Sequence, residues 1–346
     1  MTVTAPENSP VADVPKSSGT RLVDRVFKMR ELAILAVFLV MIVVTQLGNS
    51  EFLTEQGIKD LLLNATILVL VAVGQSLVVI TRNVDLSVGS ILGISAFAAG
   101  TYLQGGGNPV VAVALAVLMG IGFGLLNGLL VSLGQVPALV VTLGTLYIIR
   151  GIDSIWVGSR QITASALPDG FVDFGSGGIS AVPYLALIAV AVLVATAYYM
   201  KHFGSGRELY ALGSNPEAAR LAGIPVRKRI LIAYTFCGAL AGLAGALYLA
   251  RFGNVDSSTG NGYELTVVSA VVVGGVVFTG GSGSVYGAAL GALLLTSINS
   301  VLPALGVSSV WVLAINGILL ILAIAVDRVV ALRVAAALKK RNARHG

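Results

Sequence analysis

Ten stretches of roughly twenty mostly apolar residues recur along the chain, near 31–49, 58–80, 87–104, 109–134, 137–156, 182–201, 229–251, 263–279, 283–304 and 306–326. About twenty apolar residues is the length an α-helix needs to cross the hydrocarbon core of a bilayer. In lipid, a helix satisfies every backbone polar group within its own segment, so repeated apolar runs of this length leave few alternatives. The expected fold is an all-α integral membrane protein, with about ten transmembrane helices in a compact bundle. Composition agrees: 56% of residues are hydrophobic and only 11% charged, against about 25% charged in soluble domains. The eighth span is short for a full crossing and is expected to be tilted or broken. The third and tenth are the next weakest.

Charge orients the spans. With the N-terminus in the cytoplasm, alternation places on the inner side Arg82, the basic residues before residue 31, those of the 201–229 loop and those of the C-terminal tail. The outer side keeps only Lys59, Arg150, Arg160 and Arg251. This positive-inside bias predicts that both termini are cytoplasmic. The net charge of +6 therefore reads as topology, with no nucleic-acid partner. Residues 1–30 form a tail, largely disordered, because its Pro, Ser, Thr and Val follow no helical period. A polar lead-in of some thirty residues, with no small-residue cleavage site after the apolar core, does not fit a signal peptide. The transmembrane body is expected over 31–327, with its largest cytoplasmic loop at about 202–228, and 328–346 form a basic cytoplasmic tail.

Glycine is abundant, at 42 residues, and much of it is spaced for helix contact. Gly120, Gly124 and Gly128 fall one turn apart, as do Gly238, Gly242 and Ala246, and Gly287 and Gly291. Such small-residue stripes let two backbones approach closely. A faint internal echo also exists: "VVIT" (78–81) precedes "GSILG" (89–93), and "VVFT" (276–279) precedes "GSVYG" (283–287). Two related halves are a common transporter plan, with broken helices near the site; chance similarity in apolar sequence is the competing explanation.

The stretch "TRNVDLSVGS" (81–90) is the most polar interruption in the apolar region. Asp85 or Ser87 could cap the helix that follows, leaving N–H groups to face an oxygen-rich ligand. Two placements stay open, a cytoplasmic turn or an intramembrane break. Asn83, Asp85 and Ser87 of this stretch, with Asn64, Gln75, Asn127, Thr145, Tyr234 and Asn299 from within the spans, form the candidate substrate path. Amides and hydroxyls at such depth face the bundle interior. Asp60, Asp85, Asp153, Glu264 and Asp327 all fall near span ends, so the interior is expected to be neutral and suited to an uncharged, hydroxylated cargo. Proton- or ion-coupled carriers place ionisable groups deep in the membrane. No catalytic set is present: one cysteine, Cys237, two histidines, His202 and His345, and no nucleophile–base constellation. No His/Cys pairing has metal-ligand spacing, and no G-x-x-x-x-G-K-[ST] loop is present to bind ATP.

One polar segment is punctuated as a short helix. In "ALGSNPEAARLAGIPV" (211–226), Ser214 or Asn215 can cap, Pro216 suits the first helical position, and Glu217 favours the positive end of the dipole. Gly223 can end the helix in the left-handed conformation and Pro225 blocks its continuation.

This segment, extended as "ELYALGSNPEAARLAGIPVRKRILIAYTFCGALAGLAGAL", resembles the cytoplasmic region of membrane permeases of ABC importers in the ribose/xylose/simple-sugar group. "NVDLSVGS" (83–90) resembles that group's Asp-Leu-Ser-Val-Gly signature, and "GGSGSVYGAALGALLL" (280–295) its late Gly-rich segment. The resemblance runs from about residue 30 to about 327. Arg82 and Asn83 depart from it, standing where the group often has Gly-Gly. The resemblance implies a fold like that of the vitamin B12-type importers. It also implies that Asn215, Pro216, Glu217, Ala218, Ala219, Arg220, Leu221, Ala222 and Gly223 form a coupling helix that docks in a separate ATPase subunit. Ala218, Ala219 and Ala222 would be its low-profile face, with Glu217 and Arg220 at the rim. ATP and Mg would bind the ATPase chain, and this chain would hold no cofactor. The implied partners are ABC ATPase subunits, an extracytoplasmic sugar-binding protein, a second permease chain in a homodimer or heterodimer, and membrane lipid. The implied function is import of a ribose-like monosaccharide across a bacterial plasma membrane. A branched-chain amino-acid permease of the same superfamily is the first alternative, and a stand-alone secondary carrier the second.

Overall fold

The computed structural model describes residues 18–48, 50–304 and single positions between 306 and 325. Twelve helices are described: α1 (Ser18–Gly48), α2 (Glu55–Ile80), α3 (Val88–Gln104), α4 (Pro109–Ser132), α5 (Ala138–Val157), α6 (Asp169–Ser176), α7 (Tyr184–His202), α8 (Gly204–Ser214), α9 (Pro216–Leu221), α10 (Val226–Phe252), α11 (Tyr263–Val273) and α12 (Val285–Ala304). A two-residue hairpin, Gly178–Ile179 with Val182–Pro183, lies before α7. Nine of the ten expected spans coincide with α1–α5, α7 and α10–α12. The tenth, 306–326, lies mostly outside the described residues, as do 1–17 and 326–346. α1 begins at Ser18, so residues 18–30 are helical and continue the first span toward the N-terminus.

The eighth span is broken, as its length suggests. α11 has 11 residues, about 16 Å at 1.5 Å per residue, roughly half the hydrocarbon thickness. It stops where Gly274 and Gly275 begin a glycine-rich segment, and Gly275 takes φ 92, a conformation open to glycine.

Among the described residues six helices are long and apolar enough to cross a membrane, and three shorter apolar helices accompany them. Their burial is uneven. The apolar window of α2 is 94% buried and makes it the central post, whereas those of α4 and α5 are 22% and 28% buried. Val110 is 77% exposed and Ile155 86%. Apolar surface on this scale needs lipid or protein against it.

α10 runs through the middle and meets α4 along the stripes anticipated above. A methyl group on Gly120 would overlap the Gly238 carbonyl, one on Gly124 the Tyr234 carbonyl, and one on Gly242 the Ala116 carbonyl. α12 meets α11 in the same way, Gly291 lying against the Ala270 carbonyl and Gly287 against Gly274. With no hydrophobic drive between helices in lipid, such close backbone contact is a main source of association.

The two echoing segments are neighbours in space. Gly281 N–H donates to the Ile80 carbonyl at 2.8 Å, and Arg82 Nε donates to the Thr279 carbonyl at 2.7 Å. The α2–α3 break and the α11–α12 break thus meet at the end of the bundle that carries α8 and α9.

Candidate functional site

After Ile80 the chain leaves the helix through Thr81, whose hydroxyl donates to the Val78 carbonyl at 2.7 Å. Arg82 takes φ 66, a left-handed conformation that favours glycine. The Arg82–Thr279 bond anchors the arginine side chain there. Asn83, half-buried, ties back to the Thr81 carbonyl at 2.9 Å. The chain then doubles back along α2 instead of leaving the bundle. Val84, Asp85, Ser87 and Val88 are all buried, so the 81–90 stretch is a break within the bundle.

Facing side chains satisfy the backbone of that break, which lipid could not. The Gln75 amide, with its oxygen toward the Asp85 N–H, accepts from it at 3.1 Å and donates to the Asp85 carbonyl at 3.3 Å. Tyr234 OH donates to the Val84 carbonyl at 3.1 Å, joined by Thr142 Oγ1 at 3.3 Å. The Asp85 carboxylate accepts from Ser87 N–H at 2.9 Å and from Ser87 Oγ at 2.7 Å. Asn127 Nδ2 donates to Ser87 Oγ at 2.8 Å and lies 3.4 and 3.5 Å from the two Asp85 oxygens. Neither Asp85 nor Ser87 caps the first turn of α3, because the Ser87 hydroxyl is spent on Asp85.

Gln75, Asp85, Ser87, Asn127 and Tyr234 are thus brought together on α2, α4, α10 and the break, each with 0% exposure. Thr145, on α5, is buried and donates to the carbonyl of Thr142 on the same helix at 3.3 Å. In this conformation they form a closed latch. Asn64 and Asn299 lie elsewhere, on the wall of a cavity of about 310 Å³ that also presents Tyr248, Tyr263, Thr266 and Thr296.

The expected neutral interior is incorrect. Arg150 and Asp153 on α5 lie with their side chains 17% and 1% exposed, 4.0 Å apart. Both Asp153 carboxylate oxygens are buried without a hydrogen-bond partner. Arg150 donates to the Thr259 carbonyl at 2.8 Å, holding the α10–α11 connection against α3, where Gly93 leaves room for it. Glu264 Oε2 is also buried without a partner and packs on Gly89 in the first turn of α3. These charges sit near helix ends in the sequence, but the ends themselves are packed inside. The Arg150-x-x-Asp153 spacing, one helical turn, was the available signal. On the same connection, hydrogen bonds from Ser258 hold the Asp256 carboxyl below its ordinary range.

The cytoplasmic-type loop holds two helices where one was expected. α8 ends at Ser214, and Asn215 caps α9, its Oδ1 accepting from Ala218 N–H at 3.1 Å. Pro216 occupies the first turn, and Gly223 ends the motif at φ 80. Glu217 and Arg220 pair with each other at 2.7 Å, both largely exposed. The anticipated alanine face is corrected: Ala219 is 4% exposed and turns inward, so a nonpolar α9 residue anchors the helix to the body. Ala218, Leu221 and Ala222 face outward with Glu217 and Arg220, and Leu221 is 86% exposed.

α8 connects that exposed helix to both breaks. Gly213 lies directly under the Ile80 carbonyl and Gly281 N–H, with no room for a side chain. Tyr210 OH donates to the Gly283 carbonyl at 3.1 Å. Glu208 pairs with Arg229 at the start of α10.

The family described as "Branched-chain amino acid transport system / permease component" matches residues 57–324. The chain belongs to this permease family. Among its relatives, the ribose import permease protein RbsC of Escherichia coli (strain K12) is 34% identical over 312 residues, 90% of this chain and 97% of the relative. The autoinducer 2 import system permease protein LsrC of Escherichia coli O157:H7 is 36% identical over 301 residues, 86% of each chain. LsrC of Shigella flexneri is likewise 36% identical over 301 residues. No solved structure matches. The permease is therefore a multi-pass integral membrane protein and a transport subunit. Its matched region includes both breaks, the buried latch, and α8 and α9.

Proposed function

We propose that the permease is the membrane subunit of an ATP-driven, binding-protein-dependent importer that carries a simple sugar of the ribose kind into the cytoplasm. One observation carries the mechanical part. A self-capped, exposed helix is joined through α8 to both helix breaks, so a push on α9 reaches Ile80, Gly281 and Gly283 directly. Separate ATPase subunits would bind ATP and Mg and take the Leu221 face of α9. A sugar-binding protein would deliver cargo to the opposite side, and a second permease chain would complete the pore. Both termini would lie in the cytoplasm of a bacterial cell, on the positive-inside argument. The latch residues and the Asn64–Asn299 cavity are the proposed path: the cavity receives hydroxyls, and the latch opens when the breaks move. The cargoes for which RbsC and LsrC are named support a sugar.

Branched-chain amino acids are a second reading. The family description, the buried Asp153 and the half-buried Arg150 and Glu264, which could meet a zwitterion, favour it. Uptake in cells separates the readings. Labelled ribose should accumulate, excess leucine should not compete, and Leu221→Arg should insert normally yet lose both the co-purifying ATPase and uptake. Competition by leucine but not by sugars would move the cargo to amino acids. Uptake that persists when ATP hydrolysis is blocked and ion gradients are intact would make the chain a stand-alone carrier.

A further inference from the structure

A second cavity, of about 440 Å³, opens between the end of α7, the start of α12 and α8. Its walls change character along one direction. Val194 and Ala197 on α7, with Val285 and Tyr286 on α12, form an apolar side, and Lys201 in the last turn of α7 gives the rim its positive charge, with His202 beside it. Seven residues separate Val194 from Lys201, about 10 Å along a helix. No residue lining the cavity is acidic. Arg207 adds a further positive charge beside the rim, its guanidinium donating to the Lys201 and His202 carbonyls at 3.3 and 3.0 Å. The His202 ring stacks on Tyr198 at 4.3 Å, and its Nδ1 lies 3.1 Å from the Tyr198 carbonyl, which holds the ring at the edge of the cavity. Val194 and Tyr286 are each about half exposed, so the cavity's apolar side opens outward rather than into the core.

We propose that this cavity binds an anionic phospholipid, with the headgroup phosphate on Lys201 and the upper acyl chain along Val194, Ala197, Val285 and Tyr286. A cationic rim above an apolar wall at a membrane edge matches the polarity of that lipid from headgroup to chain. A soluble anion would leave the apolar wall unused, and a zwitterionic lipid would bring its own cation to the rim. Basic pockets between membrane helices take anionic headgroups for this reason. Tyr210 lines the same cavity while bonding to Gly283, so the occupant touches the element that joins α9 to the breaks. That consequence for transport rests on the importer reading above; the binding itself does not.

The test is native mass spectrometry of the detergent-purified full chain, back-titrated with phosphatidylglycerol, phosphatidylcholine or inorganic phosphate. Phosphatidylglycerol should be retained preferentially, and Lys201→Gln should weaken its retention about fivefold, the effect of one surface cation on an anionic lipid. Lys228→Gln, on the same loop but away from the cavity, should leave retention unchanged. Val194→Trp, which fills the apolar side and keeps every charge, should also reduce it, and this variant covers the case in which Lys201→Gln folds poorly. Equal retention of the two lipids would overturn the proposal, as would an equal loss in Lys228→Gln. Competition by inorganic phosphate at the lipid's own concentration would reassign the site to a soluble anion. None of these readouts depends on uptake, so failure here leaves the importer reading standing, and the reverse also holds.

Discussion

Exchanging Asn127 for aspartate tests the latch at its most sensitive point. The side chain is nearly isosteric, so packing is preserved while a donor becomes a second acceptor. In the native latch Asn127 Nδ2 stands 3.4 and 3.5 Å from the Asp85 oxygens and 2.8 Å from Ser87 Oγ. Two carboxylates at that separation repel by about 5 kcal/mol at an effective dielectric of about 20. Relaxation of the break and the sharing of one proton between the two carboxyls reduce this, and a loss of about 2–3 kcal/mol is expected for Asn127→Asp. By comparison, a single interhelical hydrogen bond in a membrane protein is worth about 0.6 kcal/mol, so the charge term dominates the outcome. The assay is equilibrium unfolding in mixed micelles with increasing SDS, followed by circular dichroism. The double variant Asp85→Asn/Asn127→Asp restores one carboxylate and one amide and should recover most of the loss. A loss below about 0.5 kcal/mol for Asn127→Asp, or no recovery in the double variant, would refute the pairing of Asn127 with Asp85.

Gly238→Val should drive its side chain into the Gly120 carbonyl and the Gly124 backbone, at about 1–3 kcal/mol, whereas Gly122→Ala, which meets nothing within 4 Å, should not destabilise; the same SDS titration reads both. Asn215→Ala removes the α9 cap at about 1 kcal/mol, and should raise hydrogen exchange at the Ala218 amide while leaving α10 protected. Burial pushes the Tyr210 phenol up to about 12. Because the folded value is raised, the stabilisation is full below the ordinary value of about 10 and is lost as pH rises through about 12. Alkaline unfolding curves of wild type and Tyr210→Phe should therefore differ most in that window, and parallel curves would contradict the burial of the hydroxyl.

Much of the architecture was legible because lipid allows the backbone few solutions. A run of twenty apolar residues must be a helix, so nine spans were found, though α1 starts well before its apolar run and α11 stops short of the end of its own. The glycine stripes at 120–128 and 238–246 announced their own contact, because one-turn spacing is local geometry. The cap at Asn215, the stop at Gly223 and the break in the eighth span are likewise local, set by backbone preferences that neighbouring residues express alone.

Where charge and polarity end up was not local. Hydropathy assigns Asp85, Asp153 and Glu264 to span ends and stops there. It does not say that the chain after Ile80 doubles back, or that the α10–α11 connection packs against α3, and both place ionisable groups inside. The inward turn of Ala219 follows from where α8 sets α9 on the body. The joining of Gly213 and Tyr210 to two breaks about two hundred residues apart in the sequence has no counterpart in periodicity. The sequence by itself determined which long apolar segments are helices, that the eighth of them is too short to cross, and which faces can approach. The tertiary structure alone decided which breaks meet and which polar groups satisfy one another, because a buried hydrogen bond depends on where a second, distant segment places its partner.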